Sequence, residues 1–115
     1  MLKVSYGEHA FLFPGDLMAM GEKALVAEAG ENLKSTVLVS PHHGSASSST
    51  PLLTEQVNPE IVVISCGWMN RFKFPAKSVL QRYETMGARV LRTDINGAIR
   101  IRTDGHEMQI RATQP

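Results

Sequence analysis

Two runs of this chain, Ser35 to Ser40 (STVLVS) and Glu60 to Ser65 (EIVVIS), are apolar and β-branched with no polar residue in their middles. A strand that alternates apolar with polar residues has one wet face, whereas a strand with no such alternation is covered on both faces. These runs therefore demand a sheet that carries layers above and below it. Helix-forming segments lie around them, so the expected class is α/β, a mixed β-sheet with flanking helices. A single domain over residues 1–115 follows from length: 115 residues can bury about two-thirds of the unfolded surface but cannot build two independent cores.

The remaining elements are read from local signals. Leu2 to Ser5 and Ala10 to Phe13 flank Tyr6-Gly7-Glu8-His9, which predicts a β-hairpin with Gly7 in the turn and His9 as a turn residue. After the break at Pro14-Gly15-Asp16, Leu17 to Ala29 carry helix formers, with Met20, Ala24, Leu25 and Ala27 to Glu28 as one inward face and Gly30 as the stop. Thr50-Pro51 starts a short helix that Asn58-Pro59 ends, and Lys77 to Met86 reads as a helix with Val79, Leu80 and Tyr83 inward. The runs RVLRT, AIRIRT and EMQIR then alternate, with Asn96-Gly97 and Asp104-Gly105 between them as hairpin turns, which predicts a terminal three-stranded meander. Arg100 and Arg102 share one face of their strand and Ile99 and Ile101 the other. His106, after a turn, is expected at the surface.

The residues that carry chemistry sit where the first fully apolar run stops, at Pro41-His42-His43-Gly44-Ser45. Strand ends of this kind open onto the face of an α/β sheet that bears sites. Neutral imidazole is the commonest protein ligand of transition metals, and Gly44 lets the backbone turn close to whatever the rings hold. A bare pair of histidines reads more readily as a solvated turn than as ligands, and only its context changes that. Asp16, at another strand end, adds the oxygen donor that a hydrolytic metal site combines with imidazole. Two or three donors do not close such a site, because a catalytic zinc ion wants at least three protein ligands and a two-metal centre more.

Composition narrows the classes. Hydrophobic residues make up 43% of the chain, and no apolar run approaches the roughly 20 residues that cross a bilayer, so the sequence reads as a soluble piece. One cysteine, Cys66, excludes an internal disulfide and a multi-cysteine zinc site, and its place in VVISCG reads as a small residue of a buried strand. The net charge of +1 divides unevenly: residues 1–57 hold three lysines against six acidic residues, residues 58–115 nine lysines and arginines against five. The second half could face an anion, though arginines scattered on a solvated sheet give the same count.

Taken in order, FLFPGD, a GEKAL-type helix, VLVSPHHGSASSSTPLL, VNPEIVVIS, NRF followed by a proline, and VLQRYETMGARVLRTDINGAIRIRTDG resemble the C-terminal metallo-β-lactamase-like domain of the ComEC family of competence proteins. The resemblance covers residues 2–105, and the motifs are specific in combination rather than singly. It implies the C-terminal half of an αββα sandwich, cut from a longer protein of the bacterial cytoplasmic membrane whose domain lies outside that membrane. It implies a divalent ion, zinc or manganese, in the parent domain, with Asp16 and His42 as ligands and His43 as a neighbouring or alternative one. The implied partners are the DNA phosphate backbone, the missing N-terminal half of the domain and the membrane channel of the same chain.

Two departures qualify these expectations. The H-x-H-x-D-H cluster that the first half of such a fold supplies is absent, and the segment after NR carries Phe74 and Ala76 where relatives usually have a histidine. The first reading is thus a metal-dependent nuclease in the parent protein, degrading the strand that is not transported, with Ser45, Ser47, Asn70 and Arg71 near the phosphate as hydrogen-bond donors and one fixed cation. Each of those four reads equally as a loop or capping residue. The second reading is a DNA- or partner-binding module whose metal site has decayed. A hydrolase acting on a small molecule is a more distant third. The 115 residues alone are expected to bind metal weakly or not at all and to show no nuclease activity, and to self-associate through sheet surface that the absent half would cover.

Overall fold

The computed structural model describes residues 1–67 and 73–114. Asn70 and Arg71 lie outside the described residues. Among the described residues, seven strands and four helices follow one another: β1 (Leu2–Tyr6), β2 (His9–Phe13), α1 (Ala19–Ala29), β3 (Val37–Val39), α2 (Pro51–Val57), β4 (Ile61–Ile64), α3 (Lys77–Thr85), β5 (Arg89–Arg92), the short α4 (Thr93–Asn96), β6 (Ile99–Thr103) and β7 (Met108–Ala112). Among the described residues no helix is long and apolar enough to cross a membrane.

Strands β1 to β5 form one mixed sheet in sequential order. β1 and β2 are antiparallel, in a register that sets Tyr6 against His9 and Leu2 against Phe13, while β2, β3, β4 and β5 are parallel neighbours. Parallel strands laid down in order, each joined to the next by a right-handed crossover, must carry all their connecting helices on one face. On that face Leu12, Leu38, Val62 and Ile64 of the sheet pack against Leu33, Leu53, Val57, Val79 and Tyr83, all fully buried. Burial of each such aliphatic side chain stabilises the fold by about 1.5–3 kcal/mol, which accounts for the apolar runs around Leu38 and Val62.

The opposite face is covered by the β6–β7 hairpin, whose Ile99, Ile101, Met108 and Ile110 pack on Val37, Ile61, Leu91, Phe11 and Val63. The expected meander is corrected here. β5 belongs to the large sheet, and Thr93–Asn96 is a helical turn instead of a path into a hairpin. The Asn96 side chain accepts from the Arg92 amide (2.9 Å), which bends the chain out of the sheet plane. The alternating pattern of β6 and β7 is satisfied by lying across the sheet, isoleucines inward and Arg100, Arg102 and Arg111 outward. Arg100 faces Arg111 directly across the hairpin, and Asp104 and Glu107 flank its tip, so the positive second half resolves into a mixed surface.

The hairpin is held down at its tip. The Glu8 amide donates to Gly105 O (2.6 Å), and a Cβ on Gly7 would stand 2.3 Å from that oxygen. His9 is therefore a strand residue with its Nδ1 2.5 Å from Thr103 Oγ1, and not a turn residue. His106 is at the surface as expected, 3.0 Å from Glu8.

Helix α1 begins two residues later than expected and is rotated from the expected face: Met20 is 88% exposed, Ala24, Ala27 and Glu28 point outward, and the fully buried residue is Glu22. Leu25, Val26 and Ala29 complete the inward side. On β1, Leu2, Val4 and Tyr6 share the hairpin side of the sheet but lie beyond its cover and stay exposed, while Lys3 on the other side donates to the carbonyls of Asn32 (2.6 Å) and Lys34 (2.9 Å).

Candidate functional site

Because β2 to β5 are parallel, their C-terminal ends share one edge of the sheet, and the segments that leave them come together there. Asp16 follows β2, His42 and His43 follow β3, and Ser65, Cys66 and Gly67 follow β4. With Phe74 they line an open pocket of about 460 Å³. The structure thus brings together Asp16, His42 and His43, which the sequence singled out, and adds Ser65, Cys66 and Phe74.

The histidine turn is built under strain. His42 (φ 49°) and His43 (φ 55°) are consecutive non-glycine residues in the left-handed region, and Gly44 follows at φ 82°. Each non-glycine residue there costs about 1–2 kcal/mol, so the surroundings must over-determine the turn. They do so through backbone and serine contacts. The His42 amide donates to Gly15 O (2.9 Å), which ties the Asp16 loop to the histidine loop. Ser48 Oγ donates to Pro41 O (2.9 Å) and lies 2.8 Å from Ser45 O. Ser40 Oγ, Ser49 Oγ and the Tyr83 hydroxyl form a buried triangle with sides of 2.9–3.1 Å. Arg82 donates to the Ser49 carbonyl.

Behind this loop stands Glu22. Its carboxylate is 0% exposed and accepts from the Ser49 amide (2.5 Å), the Thr50 amide (2.7 Å) and the Thr50 hydroxyl (2.8 Å). A buried charge survives only with such a set of partners. The serine tract, a plain loop by composition, is a bonded scaffold in which the serines have separate tasks. Ser45 and Ser47 bond each other (2.9 Å), and the Ser47 carbonyl accepts from Ala19 at the start of α1 (2.8 Å). Neither lines the pocket.

The two imidazoles differ in surroundings. His43 Nδ1 is 2.7 Å from Ser65 O, and its Nε2 is 3.8 Å from Asp16 Oδ1, beyond hydrogen-bonding reach. His42 is half-buried, and its Nδ1 is buried with no hydrogen-bond partner among the described residues. Phe74 packs against both rings, with centroids 5.8 Å from His42 and 6.4 Å from His43, the second nearly parallel at 18°. Ala76 stands instead at the start of α3, its amide donating to Gly44 O (2.9 Å). For a divalent ion these donors fall short on their own: among the described residues no three His, Cys, Asp or Glu side chains gather at one point, below the three that a catalytic zinc site uses. Among the described residues, His42 Nδ1 is a buried side-chain nitrogen left without a hydrogen-bond partner, which is the situation a ligand would relieve.

Cys66 corrects its expected place. β4 ends at Ile64, so Cys66 lies past the strand, packed against the core on one side and lining the pocket on the other. Burial pushes its thiol pKa up, and the hydrogen bond to the Asp94 carboxylate pushes the same way, so at neutral pH the pocket presents a thiol and no thiolate nucleophile. Asp94 pairs with Arg92 through two bonds of 3.0 and 2.7 Å, and that guanidinium holds the carboxyl below its usual range. A carboxyl whose pKa is depressed on folding contributes stability that is full above the ordinary value and is lost as pH falls through the lowered one. Asp94→Asn is therefore expected to remove about 1 kcal/mol at neutral pH and to flatten the loss of stability below the ordinary aspartate range, as read from urea midpoints against pH. An unchanged acid limb would refute this.

Ser65 and Cys66 carried the same strand-end signal as the histidines, one run later, and could have been found by it. Glu22 carried no signal, since a glutamate on an amphipathic helix reads as solvated.

No family model matches the chain. It is 43% identical over 99 residues to Competence protein ComA of Neisseria gonorrhoeae, an alignment covering 86% of this chain and 14% of that protein. It is 37% identical over 102 residues to ComE operon protein 3 of Bacillus subtilis (89% of this chain, 13% of that one) and 34% identical over 101 residues to Recombination protein 2 of Haemophilus influenzae (88% and 12%). The chain thus spans about one-seventh of the length of these relatives or less.

Proposed function

We propose that these residues are part of a DNA-uptake protein acting in natural transformation, and that the pocket at the sheet edge engages the DNA phosphodiester backbone. In the longer protein it is one side of a metal-dependent phosphodiesterase that degrades the strand not taken up. The observation that carries this reading is the convergence of Asp16, His42 and His43, from two separate strand ends, on one pocket where a buried imidazole nitrogen has no partner among the described residues. The relatives named for competence supply the biological setting. The donors in hand do not complete an ion's coordination, so the reading needs further donors from outside residues 1–115, and no chemical step is assigned to the pocket as it stands.

A test uses both the 115 residues and the longer protein. After dialysis against zinc or manganese and elemental analysis, the 115 residues are expected to retain well under one equivalent and to show no nuclease activity. The longer protein is expected to retain the ion and to lose it, with nuclease activity, on Asp16→Ala or His42→Ala. Tight stoichiometric metal on the short chain, or a longer protein indifferent to both substitutions, would sink the reading.

One observation favours the alternative, a binding module without catalysis: Phe74, a side chain that offers no donor to an ion, rests its ring on both imidazoles. On that reading the longer protein binds DNA and holds no ion.

A further inference from the structure

The Thr-Asp pair at the end of β5 plays no part in the pocket lining, yet its threonine is bonded to the segment that does line it. β4 and β5 pair in parallel up to Ile64 and Arg92, and the ladder stops there. One residue on, the Thr93 hydroxyl continues the ladder with a side chain: Oγ1 accepts from the Cys66 amide (2.9 Å) and donates to the Cys66 carbonyl (2.8 Å). The Cys66 N–H belongs to the same peptide group as the Ser65 carbonyl, and that carbonyl is 2.7 Å from His43 Nδ1. A carbonyl only accepts, so Nδ1 carries the proton, and in the neutral ring Nε2 is the unprotonated nitrogen.

We propose that Thr93 is a positioning residue that sets the tautomer of His43 through the Ser65–Cys66 peptide group. With its N–H held by Thr93, the group can present only its carbonyl to the ring, and bonding at both ends polarises it so that each bond strengthens the other. Rotated the other way, the group would offer N–H to Nδ1. Nδ1 would then accept, the proton would sit on Nε2, and the pocket would face a donor where it now faces a lone pair. The consequence for DNA or metal rests on the function proposed above. The tautomer itself does not.

The measurement is long-range proton–nitrogen correlation on nitrogen-15 labelled chain, taken at alkaline pH where the imidazole nitrogen signals have stopped changing with pH. Wild type is expected to show His43 with protonated Nδ1 and unprotonated Nε2. Thr93→Val, near in shape but with no hydroxyl, is expected to raise the Nε2–H form about fivefold to tenfold, and Thr93→Ser to restore the wild-type pattern. A wild-type ring protonated on Nε2, or a folded Thr93→Val chain with the wild-type tautomer, overturns the proposal. Should Thr93→Val fail to fold, hydrogen exchange of the Cys66 amide in wild type decides: protection supports the bond to Thr93, and exchange at the free rate overturns it. None of these readouts uses metal, DNA or activity, so this inference and the proposed function fail separately.

Discussion

Replacing Glu22 by leucine is expected to remove about 3–5 kcal/mol of stability. The leucine fills much of the space but leaves the Ser49 amide, the Thr50 amide and the Thr50 hydroxyl without the carboxylate that now receives all three. A buried donor stripped of its acceptor costs about 1–3 kcal/mol, and the two amides sit on backbone held elsewhere, so they cannot turn to water without moving the loop. Against a typical total of about 5–15 kcal/mol the loss is large, and at about 4 °C per kcal/mol it corresponds to a drop in melting temperature of about 12–20 °C. Glu22→Gln is expected to lose less, about 2 kcal/mol, because its oxygen still accepts while its NH2 group confronts one of the donors. Thermal and urea unfolding read both values. A leucine variant within 1 kcal/mol of wild type would show that Glu22 does not hold the serine loop.

Gly44→Ala is the second change with a large expected effect, about 2–4 kcal/mol, and it reaches the pocket. At φ 82° any side chain is strained, and the added Cβ would stand 2.6 Å from Pro75 Cβ and 3.1 Å from Pro75 Cα. Pro75 must shift, and Phe74 with it, whose ring now rests on His42 and His43. Lost stability together with displaced signals of both imidazoles is the expected result. Gly15→Ala is the control: its φ of 75° is similar but nothing lies within 4 Å of the new Cβ, so only the strain of about 1–2 kcal/mol remains. If the two alanines cost the same, the contact with Pro75 contributes nothing.

Both predictions rest on contacts that no local pattern announces, and the same division runs through the fold. The doubly covered strands, the Gly7 hairpin, the helix begun by Thr50-Pro51 and the inward face of α3 were legible because each depends on neighbours a few residues away. The meander was misread for the same reason, because its first strand, β5, belongs to the large sheet and only the last two strands pair as a hairpin. Alternation in AIRIRT says only that one side is dry, and a hairpin in the first sheet or one lying across it satisfies that equally. The inward face of α1 was misread because a glutamate, not a leucine, decides its rotation.

For the site, the sequence alone determined the kinds of donor present and that Asp16, His42 and His43 stand at strand ends, since strand, break and glycine are consecutive in the chain. Tertiary structure decided that these ends meet in one pocket, that Ser45 and Ser47 bond each other, and that His43 Nδ1 meets the Ser65 carbonyl. The reason is distance along the chain: Ser65 lies 22 residues from His43, Glu22 lies 27 from Ser49, and Thr93 lies 27 from Cys66. A hydrogen bond selects one partner of the right kind from many, and only the folded backbone brings that one within 3 Å.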